Sequence, residues 1–375
     1  MVKFFVITGE ASGDLHASFL IKEIKKRLPE SRFFGIGGKK MKDEGVKLFF
    51  HIEKISVVGF WEAFMKVGNI RKILRSIVEK MRNMKPDALI LVDFPGFNLR
   101  LAPFAKNLGI KVIYYITPQV WAGGGWRLRS MYKNIDLALV IFPFEERIFS
   151  SYGIKTSFVG HPILDEMSLK KSKGLFCKEH ALSPEKPIIA LLPGSREGEI
   201  KRILPIMLLI SKEIKKRRSD VQFILPTISE EMEGFLPDKR DIRIIYDETS
   251  DGIHVADTAL AASGTVTLET AFLGTPSVII YKISILTYLI IKWLIKLPYI
   301  GLVNIVRGKK IIPEYIQFSI RINQISDEIL RMLEDTRYVA TIKEELKEVK
   351  KILGKKGASK NAAEIIVKEI MKKCK

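Results

Sequence analysis

Asp93 stands directly after the apolar run Asp87-Ala-Leu-Ile-Leu-Val92, which places a carboxylate at the carboxyl end of a buried strand. In open α/β sheets, ligands bind outside those strand ends. A carboxylate there can serve as a general base and take a proton from a nucleophile. The continuation Phe94-Pro95-Gly96-Phe97-Asn98 predicts that Asp93 is held in a loop before regular helix resumes. Taken alone, such a residue is more often a turn or N-cap aspartate.

Two turns later in the chain are suited to phosphate. Pro193-Gly194-Ser195-Arg196 follows the apolar run Ile-Ile-Ala-Leu-Leu and precedes a helical stretch beginning near Glu199. A glycine turn at a helix N-terminus offers unpaired N–H groups and the positive end of the helix dipole. Arg196 adds a planar fork for phosphate oxygens. Ala262-Ser263-Gly264-Thr265-Val266-Thr267-Leu268-Glu269 repeats the design after the run Thr-Ala-Leu-Ala-Ala. Ser263, Gly264 and Thr265 can face a diphosphate, and Glu269 can accept from a ribose. The competing reading makes Thr265 an N-cap and Glu269 its capping-box partner. Neither turn carries the Gly-x-Gly-x-x-Gly fingerprint, which disfavours a nicotinamide dinucleotide. Gly9-Glu10-Ala11-Ser12-Gly13-Asp14 is a third turn, with two acids. It suits hydroxyl or amide ligands better than phosphate, or reads as a helix start capped by Ser12 or Asp14.

The stretch Val57–Leu74 crowds Phe60, Trp61, Phe64 and Met65 beside Lys66, Arg71 and Lys72. It reads either as a core helix or as a segment lying in a membrane interface. No Asp-x-Asp pair occurs, and the histidines at 16, 51, 161, 180 and 254 show no metal spacing, so no metal and no cofactor are expected.

These residues need elements to hold them, and the elements form a repeated pattern. Lys3–Gly38 reads as strand, polar glycine turn, helix and strand. The same succession returns from Lys186 to Thr227, and both helices close on Glu-Ile-Lys-Lys-Arg, at Glu23–Arg27 and Glu213–Arg217. Each copy is a βαβ opening. The expected fold class is therefore α/β, with two Rossmann-like doubly wound domains facing a cleft. Strands are expected near 3–8, 32–36, 88–92, 111–116 and 136–141, and a linker near 160–166. The domains read as 1–163 and 164–335, followed by a Lys/Glu-rich helical segment over 336–375.

At 375 residues, 47% hydrophobic and 28% charged, the chain can bury two cores. The two cysteines, Cys177 and Cys374, form no metal-type pair and fit a reducing compartment. The chain opens on a strand rather than a signal peptide. Its longest apolar run, Ile283–Ile291, is well short of the roughly 18–20 residues that span a bilayer. A cytoplasmic location follows as an expectation. The 62 Lys and Arg against 42 Asp and Glu leave +20, which favours an anionic partner.

Taken together the motifs resemble the lipid-A-disaccharide synthases, glycosyltransferases of bacterial outer-membrane lipid A assembly. The carrying segments, in the family's order, are GEASGD at 9–14, VVGFWE at 57–62, LVDFPGFN at 91–98, YYITPQVWA at 114–122, FPFE at 142–145, FVGHP at 158–162, LLPGSREGEI at 191–200, ASGTVTLE at 262–269 and VNIVRGKKIIPEYIQ at 303–317. The resemblance implies the GT-B glycosyltransferase fold. It implies transfer of 2,3-diacylglucosamine from UDP to the 6-hydroxyl of 2,3-diacylglucosamine 1-phosphate, forming a β-1,6 bond with inversion. By the same matching Asp93 falls on the family's candidate base, and Arg196, Glu269 and Asn304 on important donor-domain positions. The acceptor side takes Glu10, Ser12, Gly13, Asp14, Asn98 and Gln119, and the donor side includes Gly194, Ser195, Ser263, Gly264 and Thr265. The stretch 57–75 falls on the family's membrane surface, which implies peripheral attachment to an anionic inner membrane, and a homodimer through the second domain is suggested. One departure stands out: Gly123-Gly124-Gly125-Trp126-Arg127 follows PQVWA, where the family usually continues directly with an aromatic and basic residues. The rivals are another UDP-sugar enzyme of this fold, such as a lipid-linked muramyl-peptide glycosyltransferase or a UDP-sugar 2-epimerase, and a basic nucleic-acid-binding protein. The last would need a recognisable module or an aromatic platform, and none is found.

Overall fold

The apolar runs that open each repeat are strands covered on both faces. β4 (Ala88–Val92), β8 (Ile188–Leu192) and β11 (Thr258–Ala262) are buried at every position in the computed structural model. The structure describes residues 1–52, 67–194 (side chains from 71 onward in that stretch), 197–227, 234, 241–285, 288 and 298–372. They form two compact units, Met1–Asp165 with Lys355–Lys375, and Glu166–Gly354.

The first unit holds a seven-stranded parallel sheet in the order β3-β2-β1-β4-β5-β6-β7. Its other strands are β1 (Lys3–Ile7), β2 (Arg32–Gly37), β3 (Lys47–His51), β5 (Lys111–Tyr115), β6 (Leu137–Val140) and β7 (Thr156–Phe158). β3 is a strand that the apolar pattern does not announce, because each of its residues is only half-buried or exposed. The helices are α1 (Ala11–Arg27), α2 (Lys39–Asp43), α3 (Val67–Met84), α4 (Pro95–Asn107), α5 (Trp126–Asn134), α6 (Pro143–Ser151) and α7 (Ile163–Glu166). Strand order runs backwards from β1 to β3 and forwards from β4, so right-handed crossovers place α1 and α2 on one face and α3 to α6 on the other.

The second unit repeats this plan in six parallel strands, β10-β9-β8-β11-β12-β13. The remaining strands are β9 (Gln222–Thr227), β10 (Ile242–Tyr246), β12 (Ser277–Tyr281) and β13 (Glu314–Ile316). Its helices are α8 (Lys173–Glu179), α9 (Glu197–Arg217), α10 (Thr249–Val255), α11 (Val266–Leu273), α12 (Leu302–Arg307), α13 (Ile322–Glu334) and α14 (Thr336–Leu353). α1 and α9 both end on the repeated arginine, with three bases in the last turn where the helix dipole favours cations.

The segment expected as one helical extension over 336–375 is divided between the units. Gly354 and Gly357, at φ +87° and +119°, stop α14 and re-aim the chain. α14 buries Ile342, Leu346, Val349 and Leu353 in the second unit. The last helix, α15 (Ala358–Met371), packs along α1 in the first. Asp165 accepts from the N–H groups of Gly357 and Ser359 at 2.5 and 2.8 Å, which caps α15. Glu369 of α15 pairs with Lys111 and Lys155, each at 2.6 Å.

Candidate functional site

Both sheets reverse their strand order once, between β1 and β4 in the first unit and between β8 and β11 in the second. Such a switch point splays the loops at the strands' carboxyl ends and leaves a crevice for ligands. The turns singled out from the sequence stand at these two places.

In the first unit, Gly9 and Glu10 leave β1 and open α1. Asp93 and Phe94 leave β4 and open α4. The helix starts at Pro95 itself, earlier than expected. Proline has no N–H to lose, and its fixed φ suits the first helical position. Asp93 and Phe94 therefore share the whole reversal, and both are left-handed, at φ 46° and 47°. For residues with side chains this costs on the order of 1–3 kcal/mol each and persists only where surroundings enforce it. The enforcement is visible. The Asp93 carbonyl accepts from Asn98 Nδ2 at 2.6 Å and from the Tyr114 hydroxyl at 2.7 Å, and its N–H donates to Tyr115 O at 3.2 Å. Burial pushes the Tyr114 phenol well above its ordinary pKa, with the nearby Asp93 charge adding, so Tyr114 stays a donor. Asp93 itself is half-exposed at the crevice.

Asn98 is fully buried, and its Nδ2 donates to the carbonyls of Val92 and Asp93. The Asp14 carboxylate is spent on another element. Buried, it accepts from Gly38 N at 2.6 Å, Lys40 N at 2.9 Å and Met41 N at 3.2 Å. It therefore caps α2 and ties it to α1. Ser12 is exposed in the first turn of α1, whereas Gly13 is buried with Thr8 Oγ1 where a side chain would go. Neither Ser12 nor Asp14 caps α1. Gln119 is exposed in the loop after β5. That loop ends in Gly123 and Gly124, left-handed at φ 131° and 134°, and then opens α5. Trp126 is 75% exposed, with the Arg127 guanidinium 5.1 Å from its ring. Arg71 and Lys72 are exposed on α3, and Phe60, Trp61, Phe64, Met65 and Lys66 lie outside the described residues.

Glu145 is a support that sequence reasoning quoted but gave no role. It accepts from Trp121 Nε1 at 2.9 Å and from the N–H groups of Ile141 and Phe142, which joins the loop after β5 to α6. Burial pushes its carboxyl up to about 7. Phe142 packs on His161, which is buried and held neutral: burial lowers its pKa to about 3, with His16 adding.

In the second unit Gly194 leaves β8 and Ser263, Gly264 and Thr265 leave the neighbouring β11. Ser195 and Arg196 lie outside the described residues. Gly194 is left-handed at φ 103°, with Glu199 of α9 where a side chain would go. Thr265 precedes α11 and is exposed but makes no cap bond, so the capping-pair reading does not form. Glu269, one turn inside α11, has its carboxyl pushed up to about 7 by burial and then by the Glu166 charge.

Asn304 is fully buried with its amide spent on protein. Nδ2 donates to Ile312 O at 2.9 Å and Glu314 Oε1 at 2.6 Å, and Oδ1 accepts from Ile311 and Ile312 N–H. Glu314 accepts in turn from Ile300 N and Gly301 N, and Ser263 Oγ donates to Ile300 O at 3.3 Å. Asn304 thus braces the phosphate-type turn through Glu314, a residue that spacing alone could not single out.

Among the described residues, Glu179, His180 and Glu248 form a group of metal-ligand type that linear spacing could not show. Lys171 fills it, bonded to both Glu179 and Glu248.

A family model described as lipid-A-disaccharide synthetase matches residues 4–370. A protein named lipid-A-disaccharide synthase from Syntrophus aciditrophicus is 43% identical over 364 residues, covering 96% of this chain and 95% of that protein. One of the same name from Geobacter sulfurreducens is 37% identical over 375 residues, covering 99% and 98%. Among solved structures, the glycosyltransferase of kitacinnamycin superposes with TM-score 0.66 at 14% identity, covering 98% of each chain. UDP-GlcNAc 2-epimerase from Neisseria meningitidis, bound to UDP-GlcNAc, superposes with TM-score 0.63 at 13% identity, covering 99% of this chain and 100% of that one. These two show the fold, the GT-B arrangement of two parallel-sheet α/β domains.

Proposed function

This chain belongs to the lipid-A-disaccharide synthetase family and is a glycosyltransferase that forms the lipid A disaccharide, and we propose how its two crevices divide the work. The first holds the acceptor, diacylglucosamine 1-phosphate, with its 6-hydroxyl at Asp93. The second holds the UDP-diacylglucosamine donor, with the diphosphate at the Gly194 and Ser263–Thr265 turns. Asp93 takes the hydroxyl proton as the oxygen bonds to the donor's anomeric carbon. The bond from that carbon to the diphosphate breaks, and UDP leaves with the electron pair. One such displacement inverts the centre. N–H groups at the starts of α9 and α11 and the Arg196 guanidinium stabilise the charge growing on the diphosphate.

The observation that carries this reading is the pinned, left-handed Asp93 at the switch point. The test is Asp93→Asn, which keeps the shape but cannot accept the proton. Turnover should fall about 10²–10⁴-fold with UDP affinity retained. A kcat within about threefold of wild type would remove Asp93 as the base.

The partner surface we propose is an anionic membrane. α3, α4 and α5 pack side by side and carry five, two and three Lys or Arg against a single acid, Glu79. Trp126 and the 45%-exposed Phe104 stand among these bases. Bases for headgroups beside exposed aromatics are what an interfacial surface needs. Among the described residues, no helix is long and apolar enough to cross a membrane.

A further inference from the structure

Gly9 is a glycine without a conformational reason to be one. It is not among the residues of positive φ. Its reason is space. A Cβ built on Gly9 would lie 2.3, 2.4 and 2.5 Å from Cγ, Cδ1 and Cδ2 of Phe94, closer than real Cβ contacts come. The Phe94 ring therefore rests directly on the Gly9 backbone. It also stacks on Phe97 at 5.8 Å and packs against the core, so it has no ready retreat.

Phe94 is the second of the two left-handed residues, and the first is Asp93. Hydrogen bonds from Asn98 and Tyr114 hold the Asp93 carbonyl, and the Phe94 ring holds the far side of the reversal. A side chain at position 9 pushes on that ring. The ring turns with the Phe94 backbone, and the Asp93–Phe94 peptide turns with it. We propose that Gly9 is a positioning residue for Asp93: as the seat of the Phe94 ring, it aims the carboxylate into the first crevice. This rests on the reading of Asp93 as base, and it joins the GEASGD and LVDFPGFN segments into one device.

The experiment is a double-mutant cycle between positions 9 and 94 in the full chain, with turnover, KM and UDP affinity measured for each variant. Gly9→Ala should lower kcat by about tenfold to a hundredfold, the scale of a misplacement near one ångström, with KM and UDP affinity within about twofold. Phe94→Ala alone should also lower kcat. The decisive variant is Gly9→Ala in the Phe94→Ala background, which should cost nothing further, because no ring remains to be displaced. A Gly9→Ala kcat within about twofold of wild type overturns the proposal. So does an equal loss with and without the ring, since Gly9 would then act on something other than Phe94. If Gly9→Ala alone does not fold, the double variant should fold and match Phe94→Ala; failure of that match also overturns it. A turnover-competent Asp93→Asn would instead sink the base reading, and the coupling between positions 9 and 94 would still be read in melting temperature.

Discussion

The two crevices share a topology and differ in the residues beside them. β1 and β4 flank one switch point, β8 and β11 the other, in the same strand order. Beside the first stand carboxylates, Glu10 and Asp93. Beside the second stand glycines and hydroxyls, Gly194, Ser263, Gly264 and Thr265, with Glu199 against the Gly194 turn and Glu269 one turn inside α11, its carboxyl pushed up to about 7 by burial. Strand order decides where a ligand can sit, and residue type decides what is done to it. A half-exposed Asp93 suits proton transfer, while N–H groups at helix starts suit a leaving diphosphate.

The comparison breaks most visibly at Asp93 and Asn304, one residue from each unit. Asp93→Asn should remove turnover and spare UDP binding, as above. Asn304→Ala should do the converse. It removes the side-chain partner of Ile311 N, Ile312 N and Ile312 O, at about 1–3 kcal/mol per group left unsatisfied, and one of the three donors to Glu314. Calorimetry should show lowered stability of the second unit and weakened UDP binding, with the first unit's melting unchanged. Loss confined to kcat would mean that Asn304 does not brace the donor turn.

A smaller effect sharpens the electrostatic half. If Glu269 accepts from the ribose, UDP binding favours its ionised form, and affinity should rise as pH climbs through about 7. Glu269→Gln should flatten that rise in titrations between about pH 6 and 8. An unchanged slope would move the titrating group elsewhere.

The smallest effect concerns the returning helix. Lys111 and Lys155 hold the Glu369 carboxyl down to about 2. A depressed carboxyl stabilises the fold above its unfolded pKa, and the gain is lost as pH falls toward the folded value. Lys155 is 54% exposed, so solvent screens part of the pairing. Glu369→Gln should cost about 0.5–1 kcal/mol near neutral pH. Melting curves of wild type and variant should converge as pH is lowered toward 2; a constant gap would show that α15 is held by packing alone.

Much of this site could be seen in the chain before any tertiary structure. Runs such as ALILV, IIALL and TALAA mark buried parallel strands because every residue is apolar, and the polar turn after each must then lie at the ligand-binding edge. Asp93 could be placed this way, as could the Gly194 and Ser263–Thr265 turns. Asp14 and Asn304 could not be told from ligand contacts, because a polar residue beside a glycine turn looks the same whether it faces solvent or another element's backbone.

Sequence alone determined the features set by local forces: the two βαβ openings, the glycine turns, the helices that close on Glu-Ile-Lys-Lys-Arg, and the strand end that carries Asp93. Only the tertiary structure decided where residues distant in the chain were spent. Asp14 went to α2, Asn304 to the loop before β13, Glu145 to Trp121, the last helix to α1, and the bare face of Gly9 to the ring of Phe94. Turn chemistry and apolar periodicity act between residues a few positions apart, so the chain records them directly. A hydrogen bond or ring contact across 85 residues, as between Gly9 and Phe94, exists only after the sheet has brought β1 beside β4.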